Sequence, residues 1–480
     1  MRRSPAELPP DEPELPLDES ELTLDGSEDA ADVLHGEDPA RASALAALAH
    51  GQFRLLFAGL VFSNVGKWMQ EFGLGWLVAE QAVREGNPAL AGVYLGMRSI
   101  ASAVPSLLSS MFAGVYADRM DRRVLLLASR MASAVVAVAL AIVVLFDQLS
   151  FPVLILLSAA AWATFAFDPP VRQAMLPRIV PREHLFSAIG LMRAGLQSAR
   201  AIGPLVAGVI LVSFSMGGVM LVNAAFVLAS VVVLLPMRPQ PPGRHAKAGT
   251  PLRSLLDGVA YVVRDDLIRW CAILQIAFAL FAAAFVQLMP ALAVQTLHVG
   301  AVELSILTGA VGAGSLLGAV LITRLAGIRR RGVLLAGALG ALGVLLAVLG
   351  LQTSMAGAVG VLFVLGILQQ VFMGVVSIIL QLAAPDHLRG RIMSIQSTIF
   401  LTGMPVGVFV LGTLGSLVGV SNSILIGGIV TVAIAGLALA RASAIRDLRS
   451  IEGRAPGGTT RGAPATAAGG SSSNPGAAGT

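Results

Sequence analysis

The stretch GVYADRMDRR, residues 114–123, places five charged side chains between two long apolar segments. The chain as a whole is markedly apolar, since 56% of its 480 residues are hydrophobic and 13% are charged. The flanking segments have the length of about twenty residues that a helix needs to cross a bilayer. This stretch therefore indicates a polar connection between two membrane-spanning helices.

The same interpretation extends to the rest of the chain, whose mean hydropathy of +0.80 is typical of a polytopic membrane protein. The bilayer core offers no water to backbone groups, and the apolar segments lack the alternation of barrel strands. We therefore predict an all-α integral membrane protein with twelve transmembrane helices in two six-helix pseudo-symmetric halves. The predicted spans are at about residues 53–78, 89–112, 124–146, 151–174, 187–212, 216–236, 268–293, 302–324, 332–351, 356–381, 392–418 and 420–441.

Polar segments separate the predicted domains. Residues 1–48 are expected to form an acidic, disordered cytoplasmic tail, whose first forty residues contain 13 acids and two arginines. The N-terminal half at 49–236 and the C-terminal half at 267–442 are joined by a cytoplasmic linker at 237–266. A second disordered cytoplasmic tail, rich in Gly, Ala and Ser, is predicted at 443–480.

Arginines are concentrated in alternate connections, as expected for loops on the cytoplasmic side of a membrane. The enriched connections contain Arg119, Arg122 and Arg123; Arg178 and Arg182; five basic residues of the linker; Arg329, Arg330 and Arg331; and Arg389 and Arg391. The intervening connections contain only Arg84. We expect a multi-pass protein of the plasma (inner) membrane with both termini cytoplasmic, and this topology explains the basic rim without a nucleic-acid partner.

The two halves also repeat one another. The segments PREHLFSAIGLMRAGLQSARAIGPLVAG, from Pro181, and PDHLRGRIMSIQSTIFLTGMPVGVFVLG, from Pro385, occupy the same place in their halves. GVYADRMDRR has a weaker counterpart, GAVLITRLAGIRRR from Gly318, which lacks the aspartate. Parallel six-helix repeats are typical of transporters whose halves rock about a central site.

Four of these sequences resemble motifs of one family. GVYADRMDRR is similar to the loop signature between the second and third helices of the major facilitator superfamily. WMQEFGLGWLV, FAFDPPVRQAMLP and GPLVAG resemble motifs of its bacterial exporter branch, to which residues 49–442 are similar. The resemblance implies the major facilitator fold, a small-molecule substrate and, from GPLVAG, proton antiport.

The resemblance also implies functional residues. The loop motif is expected to latch the cytoplasmic ends of the two halves when the transporter faces outward, through Gly114, Asp118, Arg119, Asp121, Arg122 and Arg123. The simpler alternative is that its arginines only fix topology, but topology gives no role to an aspartate. The fourth-helix motif contains Asp168, Pro170, Arg172 and Gln173, and the fifth-helix motif contains Gly203, Pro204 and Gly208.

Charged residues within the predicted spans are candidates for function, because each costs about 3 kcal/mol or more near the membrane centre. From residue 51 onward, Glu71 and Asp168 are the acids well inside the spans, since Glu303 is only the second residue of its span. Glu71 follows Lys67 by four residues on one helix face and is our first candidate for proton coupling. The alternative is a permanent ion pair with Lys67 or Arg98. Asp168 is expected to anchor the loop, with Arg172 snorkelling to the interface.

Other polar residues could line a central cavity. Arg98 is the deepest of the in-span arginines without an acid one turn away; it could receive an anionic substrate group, pair with Glu71 or snorkel. The amides that could lie beside it, or instead form interhelical hydrogen bonds, are Asn64, Gln70, Gln275, Gln287, Gln369, Gln370 and Gln396.

Other classes of protein are disfavoured. The two lysines, Lys67 and Lys247, are not followed by Ser or Thr, so no nucleotide-binding P-loop exists. The six histidines fall outside or at the rims of spans, so a buried Ser–His pair or a His-based metal site is hard to build. We therefore expect no enzyme, no metal and no cofactor.

We therefore predict a secondary active transporter that exports a small amphipathic molecule, such as a siderophore, drug or natural product, by alternating access with proton antiport. A proton-coupled importer and a non-transporting membrane sensor are the alternatives. Protons, the substrate and the lipid bilayer are the expected partners. We expect a monomer, although the sequence does not determine the oligomeric state.

Overall fold

A computed structural model describes residues 45–240, 259–325, 330–385 and 388–442. Within these ranges, the side chains of residues 110–115, 117–118, 323 and 325 are not described. The predicted C-terminal tail, residues 1–44 of the predicted N-terminal tail and residues 241–258 of the linker lie outside the described residues.

Long helices form both halves, and the described residues contain no β-strand. The first half consists of α1 (Gly51–Arg84), α2 (Ala91–Arg119), α3 (Arg122–Leu145), α4 (Phe151–Ile179), α5 (Leu185–Ser213) and α6 (Met216–Leu234). The second half consists of α7 (Asp266–Leu297), α8 (Ala301–Leu325), α9 (Arg331–Gly350), α10 (Met355–Ala383), α11 (Arg389–Val418) and α12 (Val420–Arg441). Each helix coincides with one predicted span.

Ten of these helices, α3 to α12, are long and apolar enough to cross a membrane by length and composition. The other two, α1 and α2, carry the in-span charges of Lys67, Glu71 and Arg98. Large apolar side chains such as Val135, Val209 and Val212 are 65–73% exposed in the middle or outer turns of helices. Such surfaces are stable when lipid covers them, and the protein is an all-α integral membrane protein.

The second helix is longer than predicted, and this changes the interpretation of the loop motif. It continues to Arg119, so the first six residues of GVYADRMDRR are helical and the turn consists of Met120 and Asp121. A basic residue in the last turn of a helix is stabilised by the helix dipole, which favours this extension.

Two helices are irregular near the centre of the bundle. In α4, a turn at residues 166–167 separates Phe151–Phe165 from Asp168–Ile179, where Pro169 and Pro170 occupy the first turn and need no N–H partner. In α7, Phe278–Ala283 is π-helical. The Gln369 amide of α10 donates to the Ala282 carbonyl over 2.8 Å, so a backbone group of this wider turn has a partner.

The same helix pairs pack in both halves, in agreement with the sequence repeat. In the first half α2 packs on α4 and α3 on α6; in the second half α8 packs on α10 and α9 on α12. The two halves meet through α2 against α11 and α5 against α8.

The bundle has two ends, which we name by their connections. The linker face holds the α2–α3 and α4–α5 turns and Gln240, the last described residue before the linker. The distal face holds the α1–α2 and α7–α8 turns. At the distal face, Gln81 and Tyr94 donate hydrogen bonds to the Glu85 carboxylate beyond the end of α1, and these bonds hold the Glu85 pKa below its usual range.

The halves touch closely near the distal face. A Cβ atom placed on Gly92 of α2 would lie 2.9 Å from the Cα atom of Gly412 in α11, so the two backbones meet without intervening side chains. Gly96 lies equally close to the Phe409 backbone. Small residues permit such close helix crossings in membranes. The two halves are therefore in direct contact at this end of the bundle.

Candidate functional site

Glu71 and Arg98 form an ion pair between α1 and α2. The Glu71 Oε2 atom lies 3.0 Å from Arg98 Nη2, and the side chains are 12% and 3% exposed. The other carboxylate oxygen accepts a hydrogen bond of 2.8 Å from Trp162 Nε1 of α4. The geometry therefore shows a pair with Arg98, one of the alternatives left open by the sequence. Snorkelling of Arg98 is wrong for this conformation.

Arg98 also connects the first half to the second. Its Nη2 atom donates to Gln287 Oε1 of α7 over 3.3 Å, and the neighbouring Ser99 hydroxyl donates to the same oxygen over 2.8 Å. Of the seven predicted amides, Gln287 is the one that bridges the halves at this ion pair.

A cavity lies beside this bridge, between the two halves. Its polar lining residues are Arg98, Ser99, Ser102, Ser106 and Gln287. Its apolar lining residues are Ala103, Trp162, Phe400, Leu401, Met404 and Pro405. These residues lie on the linker side of the contacts at residues 92–96 and 409–412. The cavity thus combines polar and apolar lining and has a closed distal end.

Lys67 is separated from this cavity by the indole ring of Trp162. Its Nζ atom lies 3.5 Å from the centroid of the Trp162 ring and 3.2 Å from that of Phe165. Among the described residues, no carboxylate lies within 4.0 Å of Nζ, so the predicted Lys67–Glu71 ion pair is absent from this conformation. A cation over aromatic faces gains about 2 kcal/mol when desolvated, which offsets part of the cost of burial.

A second ion network surrounds Asp168. Its Oδ1 atom lies 2.5 Å from Arg130 Nη2 of α3, and its Oδ2 atom accepts a hydrogen bond from Arg172. All three side chains are less than 8% exposed. The expectation that Arg172 snorkels to the interface is therefore wrong, because Arg172 turns inward to share the carboxylate. Of the remaining motif residues, Pro170 lies in the first turn of the second part of α4, and Gln173 is exposed.

The loop motif makes its described contacts within the first half. Asp121 caps α3 by accepting from the backbone N–H of Arg123 over 2.8 Å, and it also accepts from the Gln240 N–H over 2.9 Å. The Arg123 guanidinium donates to the Leu235 carbonyl, and that of Arg122 to the Ala174 carbonyl. Among the motif residues whose side chains are described, Asp121 is the one seen to cap a helix.

The other motif residues, Gly114, Asp118 and Arg119, lie at the end of α2. The side chain of Asp118 and the surroundings of Gly114 fall outside the described part, and Arg119 is exposed. The latch between the halves stays a prediction for the outward-facing state.

The fifth-helix motif lies where α5 touches helices of both halves. A Cβ atom on Gly203 would lie 2.6 Å from Trp68 Cβ of α1, and one on Gly208 would overlap the Ser305 side chain of α8. Pro204 is buried between them. Gly203 therefore lets α5 approach α1, and Gly208 lets it approach α8.

The remaining amides form interhelical or local hydrogen bonds, as the alternative interpretation allowed. Gln70 accepts from Asn223 of α6, and Gln370 accepts from Gln197 of α5. The other donors are Asn64 to the Leu60 carbonyl, Gln275 to the Gln396 carbonyl, Gln369 to the Ala282 carbonyl and Gln396 to the Ser377 hydroxyl.

Two residues of the site were not singled out from the sequence. Trp162 carried no signal beyond its position in a span. Arg130 could have been found, because an arginine inside a predicted span favours pairing with an acid, and Glu71 and Asp168 were the acids well inside spans.

Two six-helix repeats that meet through α2–α11 and α5–α8 around a central cavity define the transporter fold of the major facilitator superfamily. A family model described as "Transmembrane secretion effector" matches residues 42–455. The chain therefore belongs to the transmembrane secretion effector family of this superfamily, and it is a membrane transporter.

Solved structures show the same fold. A crystal structure of a mutant of the peptide transporter POT has a TM-score of 0.66 at 14% identity and covers 84% of this chain and 96% of its own. A bacterial homologue of the human lysosomal transporter Spinster, in an inward-facing and unoccupied conformation, has a TM-score of 0.62 at 14% identity, with coverages of 82% and 98%.

Related proteins include siderophore transporters. The enterobactin exporter EntS of Shigella boydii serotype 4 is 28% identical over 351 residues, which are 71% of this chain and 77% of that protein. The staphyloferrin A transporter of Staphylococcus aureus is 27% identical over 185 residues, 38% of this chain, and the match spans 45% of that transporter's length.

Proposed function

We propose that this transporter exports a small amphipathic molecule across the plasma membrane by alternating access, driven by proton antiport. The observation that carries the proposal is the cavity between the two halves, whose distal end is closed by the Arg98–Gln287 bridge and the Gly92–Gly412 contact. A binding site that is closed at one end and shared by two repeats is what alternating access requires.

In this proposal the linker face is cytoplasmic, because the arginine-rich connections lie there and cytoplasmic loops are enriched in basic residues. The substrate then enters the cavity from the cytoplasm. Separation of the halves at the distal face releases it outside the cell. Both chain termini are cytoplasmic in the same orientation.

The polar and apolar lining residues of the cavity support an amphipathic substrate. Serine hydroxyls, the Gln287 amide and the Arg98 guanidinium offer hydrogen bonds, while Trp162, Phe400 and Met404 offer apolar contact. Ligand sites commonly combine a mainly apolar lining with a few placed polar groups. The outward direction, and siderophores as the first substrate class to test, follow from the names of the related transporters.

Glu71 supports proton coupling. It is one of two acids well inside the predicted spans, and its partner Arg98 contacts both the cavity and the second half. A carboxylate keeps its charge while a cation compensates it and takes up a proton when that cation moves away. Opening of the distal face would move Gln287 from Arg98 and change the surroundings of the carboxylate.

The test is transport by everted membrane vesicles that contain the full chain. A respiration-driven proton gradient is followed with a pH-sensitive dye, and enterobactin, staphyloferrin A and a panel of amphipathic drugs are added in turn. We expect at least one compound to dissipate the gradient and to accumulate in the vesicles. Accumulation should stop when a protonophore is added.

The same assay separates the alternatives. An importer by proton symport would move its substrate out of preloaded everted vesicles together with protons. A sensor would bind a compound without flux. Accumulation that persists without a gradient would contradict proton antiport.

A further inference from the structure

Arg98 has hydrogen-bonding capacity that the protein does not use. Its Nη2 atom serves Glu71 and Gln287, but Nε and Nη1 are buried and have no acceptor among the described residues. Buried donors of a charged group are nearly always paired, with protein, water or ligand. Because Arg98 lines the cavity between the halves and is 3% exposed, the missing acceptor is expected to arrive with a ligand.

Ser102 adds a second unused group to the same wall. It follows Arg98 by four residues on α2 and therefore lies on the same helix face. Its hydroxyl is buried and has no partner among the described residues, whereas the Ser99 hydroxyl between them is already bound to Gln287. The wall thus presents two guanidinium N–H positions and one hydroxyl without partners.

The charge around the cavity favours an anion. Arg98 is the one charged residue among the described residues that line the cavity, since its partner Glu71 lies outside that lining. A buried guanidinium that faces such a cavity is stabilised by an anion that binds beside it.

The apolar lining residues of the cavity favour a ligand with a planar ring. Trp162 and Phe400 both line the cavity, with Met404 and Pro405 beside them. Aromatic faces and a methionine thioether pack well against a planar ring. The unused donors and the aromatic walls therefore lie in one enclosed space.

We infer that this cavity binds an aromatic oxyanion, a carboxylate or phenolate borne by a planar ring, and this assignment rests on the proposed function. The anionic oxygens accept from Arg98 and Ser102, and the ring packs on Trp162 and Phe400. A guanidinium bound to an oxyanion forms charge-assisted hydrogen bonds, which are stronger than hydrogen bonds between neutral groups.

The test uses three probes of one shape and different charge, namely 2-naphthoate, 2-naphthamide and 2-naphthamidinium. Binding to the purified full-length protein in detergent is measured by isothermal titration calorimetry. We expect 2-naphthoate to bind at least about tenfold more tightly than either of the other probes, since one charge-assisted hydrogen bond corresponds to a factor of that size.

Two variants and a control show which residues distinguish the three probes. Arg98→Gln should remove the preference for 2-naphthoate. Ser102→Ala leaves the Glu71–Arg98 pair intact; it should weaken the binding of 2-naphthoate several-fold and leave the binding of 2-naphthamide unchanged. This second variant keeps the test decisive if Arg98→Gln does not fold. The matched control is Arg200→Gln, because Arg200 is also inside a span but stacks on Trp68 outside the cavity.

Equal binding of the three probes by the wild type, a preference for the cation, or a preference that survives both Arg98→Gln and Ser102→Ala would overturn the inference. The binding experiment does not depend on transport. Binding of 2-naphthoate without any flux in vesicles would support the binding site and count against export. Export of cationic drugs alone, without binding of 2-naphthoate, would support export and count against the oxyanion site.

Discussion

Glu71 and Arg98, 27 residues apart on neighbouring helices, share one buried ion pair whose guanidinium also bonds to Gln287 of the opposite half. The partner of Glu71 is therefore bonded to Gln287 at the contact between the halves. Any movement that separates the halves there changes what compensates the carboxylate. This relationship links the proposed proton site to the conformation of the bundle.

The first prediction concerns Glu71→Gln. The amide keeps the shape and can still accept from Trp162, but it cannot exchange a proton and it leaves Arg98 without its counter-charge. We expect the variant to insert into the membrane and to lose the substrate-induced change in vesicle pH. Dye fluorescence in everted vesicles measures this loss.

The control for Glu71→Gln is Glu80→Gln. Glu80 belongs to the same helix, but its pair with Arg84 is exposed and lies near the distal face. We expect that variant to behave as the wild type. Unchanged proton coupling in Glu71→Gln would remove Glu71 from the mechanism.

The second prediction concerns Gln287→Leu, which removes the hydrogen bonds from Ser99 and Arg98 across the halves. Their loss should weaken distal closure by about 1 to 2 kcal/mol, which multiplies the outside-open fraction by about 5 to 30. The measurement is labelling of Ala103→Cys in the cavity by an impermeant maleimide added outside the cell. The native Cys271 is buried and gives a low background.

The comparison for Gln287→Leu is Gln369→Leu, which removes a hydrogen bond inside the second half only. Labelling in that variant should stay at the wild-type level. If both variants, or neither, increase labelling, the Gln287 bridge does not control closure.

Much of the fold could be predicted from the sequence because the bilayer imposes simple rules on length, hydropathy and arginine placement. The helices α1 to α12 coincide with the predicted spans for that reason. The residues at which prediction failed are those whose partners come from another helix. Arg172 was expected at the interface because Arg130, which shares Asp168 with it, lies 38 residues before that acid. Trp162 gains its importance from its contacts with Glu71 and Lys67 and from its place in the cavity lining, none of which a position in a span predicts.

The third prediction is that Asp168→Asn destabilises the protein. The substitution leaves the buried Arg130 and Arg172 without their shared carboxylate, and breaking a buried pair costs about 3 to 5 kcal/mol. We expect a large fall in melting temperature in detergent. Asp147→Asn, which breaks the exposed pair with Arg84, should leave the melting temperature nearly unchanged. Similar melting temperatures for both variants would contradict a structural role of the Asp168 network.

The fourth prediction concerns Asp118→Asn in the loop motif. If the motif latches the halves in the outward-facing state, the variant should insert normally and lose transport in the vesicle assay. Arg119→Lys keeps the positive charge and serves as the control for topology. Full transport by Asp118→Asn would leave the arginines of the motif with a topological role alone.

The last prediction concerns Gly92→Leu at the distal contact. A Cβ atom there would lie 2.9 Å from the Cα atom of Gly412, and because this atom belongs to the backbone no rotamer change can make room. The contacts within each half are untouched, so we expect a folded protein whose distal end cannot close. Transport should stop, and external maleimide labelling of Ala103→Cys should exceed that of the wild type several-fold.

The matched control for Gly92→Leu is Gly337→Leu in α9, where an added Cβ atom meets nothing within 4 Å. Both substitutions replace a helical glycine with the same strong helix former, so their effects on helix propensity cancel in the comparison. A difference between the two variants then reports the contact between the halves. Normal transport by Gly92→Leu would show that the distal ends of α2 and α11 do not need to meet during the cycle, and the closed end of the cavity would lose its place in the mechanism.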